Sequence, residues 1–148
     1  MSAHLMGSIG IVILVGLSAY AASEGIALSG TSSILYCQRR SIITQSYVAL
    51  IMASTVFMYA FILAIAIMSA MTKEYTIEIA FQHFGASLIY GLTGLFIGNS
   101  MGKISKTSFK VLNQMPSFFF SFVLLIATVE VVLVFSFIFS LILIYKTS

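Results

Sequence analysis

The chain carries four carboxylates among its 148 residues, and one of them stands where a carboxylate is hardest to keep. Glu130 lies near the midpoint of an apolar run from Phe118 to Tyr145 that holds no other charge. A helix of that length crosses a bilayer, for which about 20 apolar residues suffice. A charge at the bilayer centre is expensive, about 2.5–3.5 kcal/mol on insertion scales for the related aspartate. Packing alone would have placed leucine there. An acid inside a membrane span reads first as functional, and a structural pairing across helices is the blander reading.

The other residues with chemical potential are less pointed. Glu24 falls about two-thirds along the first apolar segment. It reads as lining an interior or meeting polar groups near one end, rather than carrying ions. Glu74 and Glu78 sit in a short polar break and read as solvated. His4 and His83 lie near membrane surfaces and read as chemically idle. The single cysteine, Cys37, allows no internal disulfide. No metal-ligand spacing and no cofactor motif is read, and the chain is too short for a nucleotide fold.

The elements that must position Glu130 follow from hydropathy. The chain is 60% hydrophobic and 7% charged, against about 25% charged in soluble domains. This is an integral membrane protein. The net charge of +3 is small and dispersed, which argues against nucleic acid as a partner. Four apolar segments run roughly 8–35, 44–71, 79–102 and 117–145, separated by "YCQRRS", "TKEYTIE" and "GKISKTSFKVLNQMP". Backbone groups in lipid must be satisfied internally, so open-ended segments are helices. The expected fold is all-α, with four transmembrane helices as two antiparallel hairpins, 1–76 and 77–148. Pro116 suits a first helical turn. The start of the chain is somewhat like a signal peptide, but "MSAHLMGS" has no Lys or Arg, so the first helix is kept. Arg39, Arg40, Lys103, Lys106 and Lys110 fall in the first and third breaks, against Lys73 and Lys146 on the other side. That division predicts cytoplasmic first and third loops and lumenal termini.

The helices are of two kinds. Gly91, Gly94, Gly98 and Gly102 fall within about 80° of one another at about 100° per residue. Ser18, Ala22, Gly25 and Ser29 form a similar stripe on the first helix. Small residues at such spacing let membrane helices approach closely, and the stripes predict an inner layer crowded around a ring. The second and fourth helices, rich in Ile, Leu, Val and Phe, read as an outer, lipid-facing pair. A shift of 76 residues pairs Arg40 with Pro116, Ser54 with Glu130 and Tyr59 with Phe135. This suggests a duplicated hairpin of which only the second copy bears a carboxylate.

Together these features resemble the proteolipid (c-type) subunit of rotary V-type proton-pumping ATPases over almost the whole chain. "FGASLIYGLTGLFIGNSMGK" resembles the family's glycine-rich third helix. "VEVVLVFSF" resembles its "EVLGLYG" segment, with Phe135 in place of the usual Tyr, and Pro116 precedes Glu130 by the expected fourteen residues. "MASTVFMYAF" resembles "MAGIIAIYGL", with Ser54 where the ordinary family member has Gly and a larger variant has Glu. Ser87, Lys103, Ser105 and Ser108 replace family glycines. The resemblance implies that Glu130 is the proton carrier of a rotating ring, in an environment of Ser54, Thr55, Tyr59 and Phe135. It also implies ring packing through Gly91, Gly94, Gly98 and Gly102. Its implied partners are further proteolipid copies, a static membrane subunit supplying an arginine, a central stalk at the cytoplasmic loops, and lipid. Sodium-carrying relatives use glutamines at positions that are Val56 and Met101 here. Thr55 alone is a poor replacement for the several oxygens a hard cation needs, so protons are expected. A vacuolar or other endomembrane location follows. The competing readings are a small four-helix proton-coupled exporter and a pore-forming proteolipid. Exporters of that kind carry their glutamate in the first helix, whereas Glu130 is in the fourth.

Overall fold

A computed structural model describes residues 2–146. It contains four long helices: α1 (Ala3–Tyr36), α2 (Arg40–Ala70), α3 (Ile77–Gln114) and α4 (Phe119–Tyr145). A single 3-10 turn, Pro116–Phe118, leads into α4 with the proline at its start. All four helices are long and apolar enough to cross a membrane. Residues 1, 147 and 148, the extreme ends on which the lumenal-termini expectation partly bears, lie outside the described residues.

The helix ends have local causes. Ser2 and Thr76 cap α1 and α3, each hydroxyl accepting from the backbone N–H three residues on, at 3.4 Å. Such caps satisfy donors that the first turn leaves open. Between α1 and α2 only Cys37–Arg39 are non-helical, which forces an antiparallel pair. Cys37 is buried at this corner, and burial pushes its thiol pKa up, with a hydrogen bond from Ser33 pulling the other way.

The third helix does not end at residue 102 as its hydropathy suggests. It continues to Gln114. Lys103, Lys106 and Lys110 depress the apolar signal, but they lie three and four residues apart and share one exposed face. The opposite face, with Ser105, Ser108, Phe109 and Leu112, is buried. Phe109 and Leu112 join Cys37, Ile42, Ala49, Phe122 and Ile126 in one apolar cluster. A helix that is basic on one side only has a reason to persist beyond its apolar span.

The small-residue stripes are contact surfaces, and the contact is within the chain. Ser18, Ala22, Gly25 and Ser29 are all buried, as are Gly91, Gly94, Gly98 and Gly102 of α3. A Cβ on Gly98 would stand 2.5 Å from the carbonyl oxygen of Ala21, and one on Gly25 would stand 2.9 Å from the carbonyl oxygen of Gly98. Neither position tolerates a side chain, because the obstacle is backbone. Gly102 would meet Leu28 at 2.8 Å. Thus α1 and α3 form a tight inner pair through the residues expected to pack a ring.

The second helix has a packed side and an open one, with Tyr47, Ile51, Met58, Phe61, Ile62, Ile65 and Met68 exposed. Its bulky composition pairs it with α4 as an outer helix. In the structure Ser46, Ala49, Ala53, Ala60 and Ala64 are buried along one side of α2. Over their most apolar stretches, α1, α2 and α3 are each 39% buried and α4 only 17%. Within this chain α4 is the least buried of the four helices. Its ties to α3 are polar as well as apolar: Ser140 donates to the carbonyl of Ala86 at 3.1 Å, and Ser136 to that of Ile89 at 3.5 Å.

Candidate functional site

Glu130 is half-buried on α4. It lines an open groove of about 410 Å³ together with Tyr59 from α2 and Ala127, Val131, Val134 and Phe135 from its own helix. The groove therefore sits between α2 and α4. Apart from the Tyr59 hydroxyl and the carboxyl itself, its lining side chains are apolar, and none is cationic. Away from water, a charge without a partner is costly. Among the described residues, no group of three His, Cys, Asp or Glu side chains comes together as a metal site.

Aromatic rings close the groove from within. Tyr59 packs on Phe137 with centroids 4.9 Å apart, and Phe137 meets Tyr90 edge-on at 6.4 Å and 78°. Tyr90 is completely buried on α3, and its hydroxyl donates to the backbone carbonyl of Val56 on α2 at 2.8 Å. This links α3 to α2 at the level of the site.

Residues 84–143 match the family model for the C subunit of ATP synthase. That stretch includes the α3 glycines, Tyr90 and Glu130. The 16 kDa proteolipid c-type subunit of the V-type proton ATPase of Rattus norvegicus is 30% identical over 127 residues, covering 85% of this chain and 82% of the relative. Its counterpart in Nephrops norvegicus is 27% identical over 151 residues, covering 100% and 95%. The c-type subunit of the V-type proton ATPase of Candida tropicalis is 25% identical over 130 residues, covering 87% and 81%. The chain belongs to the V-type ATPase proteolipid family.

In this proteolipid, the expected site residues divide. Tyr59 and Phe135 join Glu130 in its groove. Phe135 is 68% exposed, so it flanks the opening and leaves the carboxyl uncovered. Ser54 is elsewhere. It lines a separate groove of about 340 Å³ with Ala19, Ala22, Ser23 and Ile26 of α1, and Phe57 and Met58 of α2. Its hydroxyl donates to the carbonyl of Ile51 at 2.6 Å. Thr55 likewise donates to Met52 at 2.6 Å and does not line the Glu130 groove. Val56 and Met101, the positions where sodium carriers place amides, are fully buried apolar side chains. Tyr90 and Phe137 are additions that the sequence pattern does not reveal. Tyr90 stands out as a phenol in a glycine-rich helix, but only its partner 34 residues away gives that meaning.

The remaining polar residues of the proteolipid have separate places. His83 is buried, with Nδ1 2.9 Å from the Tyr75 hydroxyl, and the Tyr75 ring stacks on His4 at 5.4 Å. The two histidines, idle by their sequence context, thus share one tie among the α2–α3 loop, α3 and the start of α1. Burial raises the Tyr75 phenol above its usual pKa. Glu24 is half-buried on α1, and Glu74 and Glu78 are exposed. Lys110 lies over the ring of Tyr36 at 5.2 Å.

Proposed function

We propose that this proteolipid is a rotor subunit of a V-type ATPase and carries protons across the membrane by reversible protonation of Glu130. The observation that carries the reading is the half-buried carboxyl in an apolar groove with no cation to neutralise it. Neutral, Glu130 can face lipid as the ring turns. It ionises only where a partner charge waits, an arginine on a static membrane subunit. Each copy then loads a proton from one half-channel and releases it to another. ATP hydrolysis on other subunits drives the rotation. The chain has no ATP site in this reading.

In this reading the ion is a proton, because the Val56 and Met101 side chains offer no oxygen and Thr55 does not line the Glu130 groove. Arg39, Arg40 and the exposed lysine face of α3 form the surface for the central stalk. Their number against Lys73 and Lys146 supports cytoplasmic first and third connections and lumenal ends, and apolar Val56 and Met101 at the sodium-ligand positions favour an endomembrane site. Glu130→Gln keeps the size of the side chain and removes the titratable group. Vesicles whose only proteolipid is this variant should assemble the complex and lose ATP-driven acidification entirely. Normal acidification would remove Glu130 from the carrier role.

A further inference from the structure

Two apolar features face outward on opposite sides of the bundle. The helices stand at the corners of a four-sided figure: α1 packs on α2 and α3, α4 packs on α3 and α2, and α1 and α4 are diagonal to each other. The groove beside Ser54 opens on the α1–α2 side. Its two hydroxyls are already committed, Ser54 to Ile51 and Ser23 to the carbonyl of Tyr20 at 2.8 Å. What remains is an apolar recess of about 340 Å³ walled by Ala22, Ile26, Phe57 and Met58. An apolar cavity of about 150 Å³ already holds a benzene ring. The second feature is Phe96, exposed on α3. It stands two residues from Gly94 and from Gly98, which are turned toward Val56 of α2 and Ala21 of α1. Two residues span about 200° on a helix, so Phe96 points away from both α1 and α2. Lys103 and Thr107 follow it by seven and eleven residues, within about 20° of its direction, and both line the groove between α3 and α4. Phe96 therefore projects from the α3–α4 side. Its depth is fixed as well. A Cβ on Gly94 would stand 3.7 Å from the Ser18 hydroxyl, and Gly98 abuts Ala21. Phe96 is thus level with Ala19 and Ala22, which line the recess on the other side.

We propose that Phe96 of one copy seats in the α1–α2 recess of the next. This rests on the reading of the chain as a rotor subunit in a ring. A projection and a recess at one depth on opposite sides make a head-to-tail contact, which closes into a ring when the rotation closes. Copies joined in this way turn their α1–α3 sides to one surface of the ring and their α2–α4 sides to the other. The Glu130 groove lies between α2 and α4. It therefore stays clear of the neighbouring copies, as a carboxyl that meets lipid and a static partner in turn requires. Lipid supplies no strong hydrophobic drive between helices, so association depends on close packing. An aromatic ring filling an apolar recess gives each joint that packing.

Thiol cross-linking in membranes holding the whole complex reads this contact, with Cys37→Ser as the background. Met58 stands at the recess and is exposed. A short thiol-to-thiol linker should join Phe96→Cys/Met58→Cys chains into a ladder of covalent oligomers up to the full ring. Phe96→Cys/Val131→Cys pairs the projection with the Glu130 groove instead and should give no ladder. Ser54→Cys leaves Phe96 in place and asks the same question without disturbing the projection. A lipid-soluble maleimide should label it far more slowly in the complex than in chains dissociated by detergent. Adding Phe96→Ala should restore the labelling. Equal labelling in both states means that lipid fills the recess, and it overturns the proposal. A ring of normal size in which Phe96→Cys/Met58→Cys forms no ladder, or in which the Val131 pair forms one, overturns it too. In that case the rotor reading stands. A purified chain of monomer or dimer mass would defeat the contact and the rotor reading together.

Discussion

The second and fourth helices hold corresponding places in the two hairpins, yet the structure gives them different work. Each contributes to an open groove, about 340 Å³ beside Ser54 and about 410 Å³ beside Glu130. The Ser54 hydroxyl is turned back on its own helix, and α2 packs an alanine face against its neighbours. The α4 groove presents a carboxyl among apolar side chains, on a helix that buries little of itself. The Ser54 side chain is turned to its own helix, and the Glu130 side chain is presented in an open groove.

The largest effect should come from the surface that holds the inner pair together. Gly98→Leu has no room, because even a Cβ would lie 2.5 Å from the Ala21 carbonyl oxygen and 2.7 Å from its carbon. Overpacking costs about 1–3 kcal/mol in ordinary cores, and here the obstacle is the backbone of Ala21, which cannot swing aside as a side chain can. Assembled complex should be undetectable by size-exclusion chromatography of detergent extracts. By contrast Val132, 53% exposed on α4, should accept Phe with near-normal yield. If both variants assembled equally well, the division into a tight interior and a free fourth helix would be wrong.

A smaller effect is expected where α4 is tied to the rest. Ser140 donates to the carbonyl of Ala86, which also keeps its place in the α3 backbone ladder. Interhelical hydrogen bonds in membrane proteins average about 0.6 kcal/mol. Ser140→Ala should therefore lower the unfolding midpoint in detergent slightly and leave acidification intact. A loss of several kcal/mol would mean that α4 depends on polar anchoring far more than its exposure suggests.

Much of this arrangement is legible in the residues, for physical reasons. Four apolar spans and a lone central acid are local signals, and the glycine and serine stripes need only a helical period. The end of α3 is hidden because hydropathy averages around the helix, so three lysines on one face outweigh Phe109 and Leu112 on the other. The packed face of α2 is hidden because alanine counts as apolar without announcing that it is small. Tyr90 gives no signal because its role depends on a carbonyl on another helix. The 76-residue shift proposed from the sequence groups Ser54 with Glu130. Equivalence of position in two hairpins does not make two residues neighbours, and each sits in its own groove.

That separation yields the smallest expected effect. Ser54→Ala removes a hydroxyl whose proton already goes to Ile51 at 2.6 Å, on a carbonyl that the helix ladder also uses. A serine that bonds back to its own helix slightly disfavours the helix, so its loss costs little there. Its groove shares no lining residue with the one holding Glu130, so the carboxyl does not feel the change directly. Assembly and the rate of ATP-driven acidification in Ser54→Ala vesicles should match those of the unaltered protein. A fall in rate with normal assembly would couple the two grooves. The first hairpin would then belong to the proton path, and the contrast between α2 and α4 would have to be redrawn as two halves of one site.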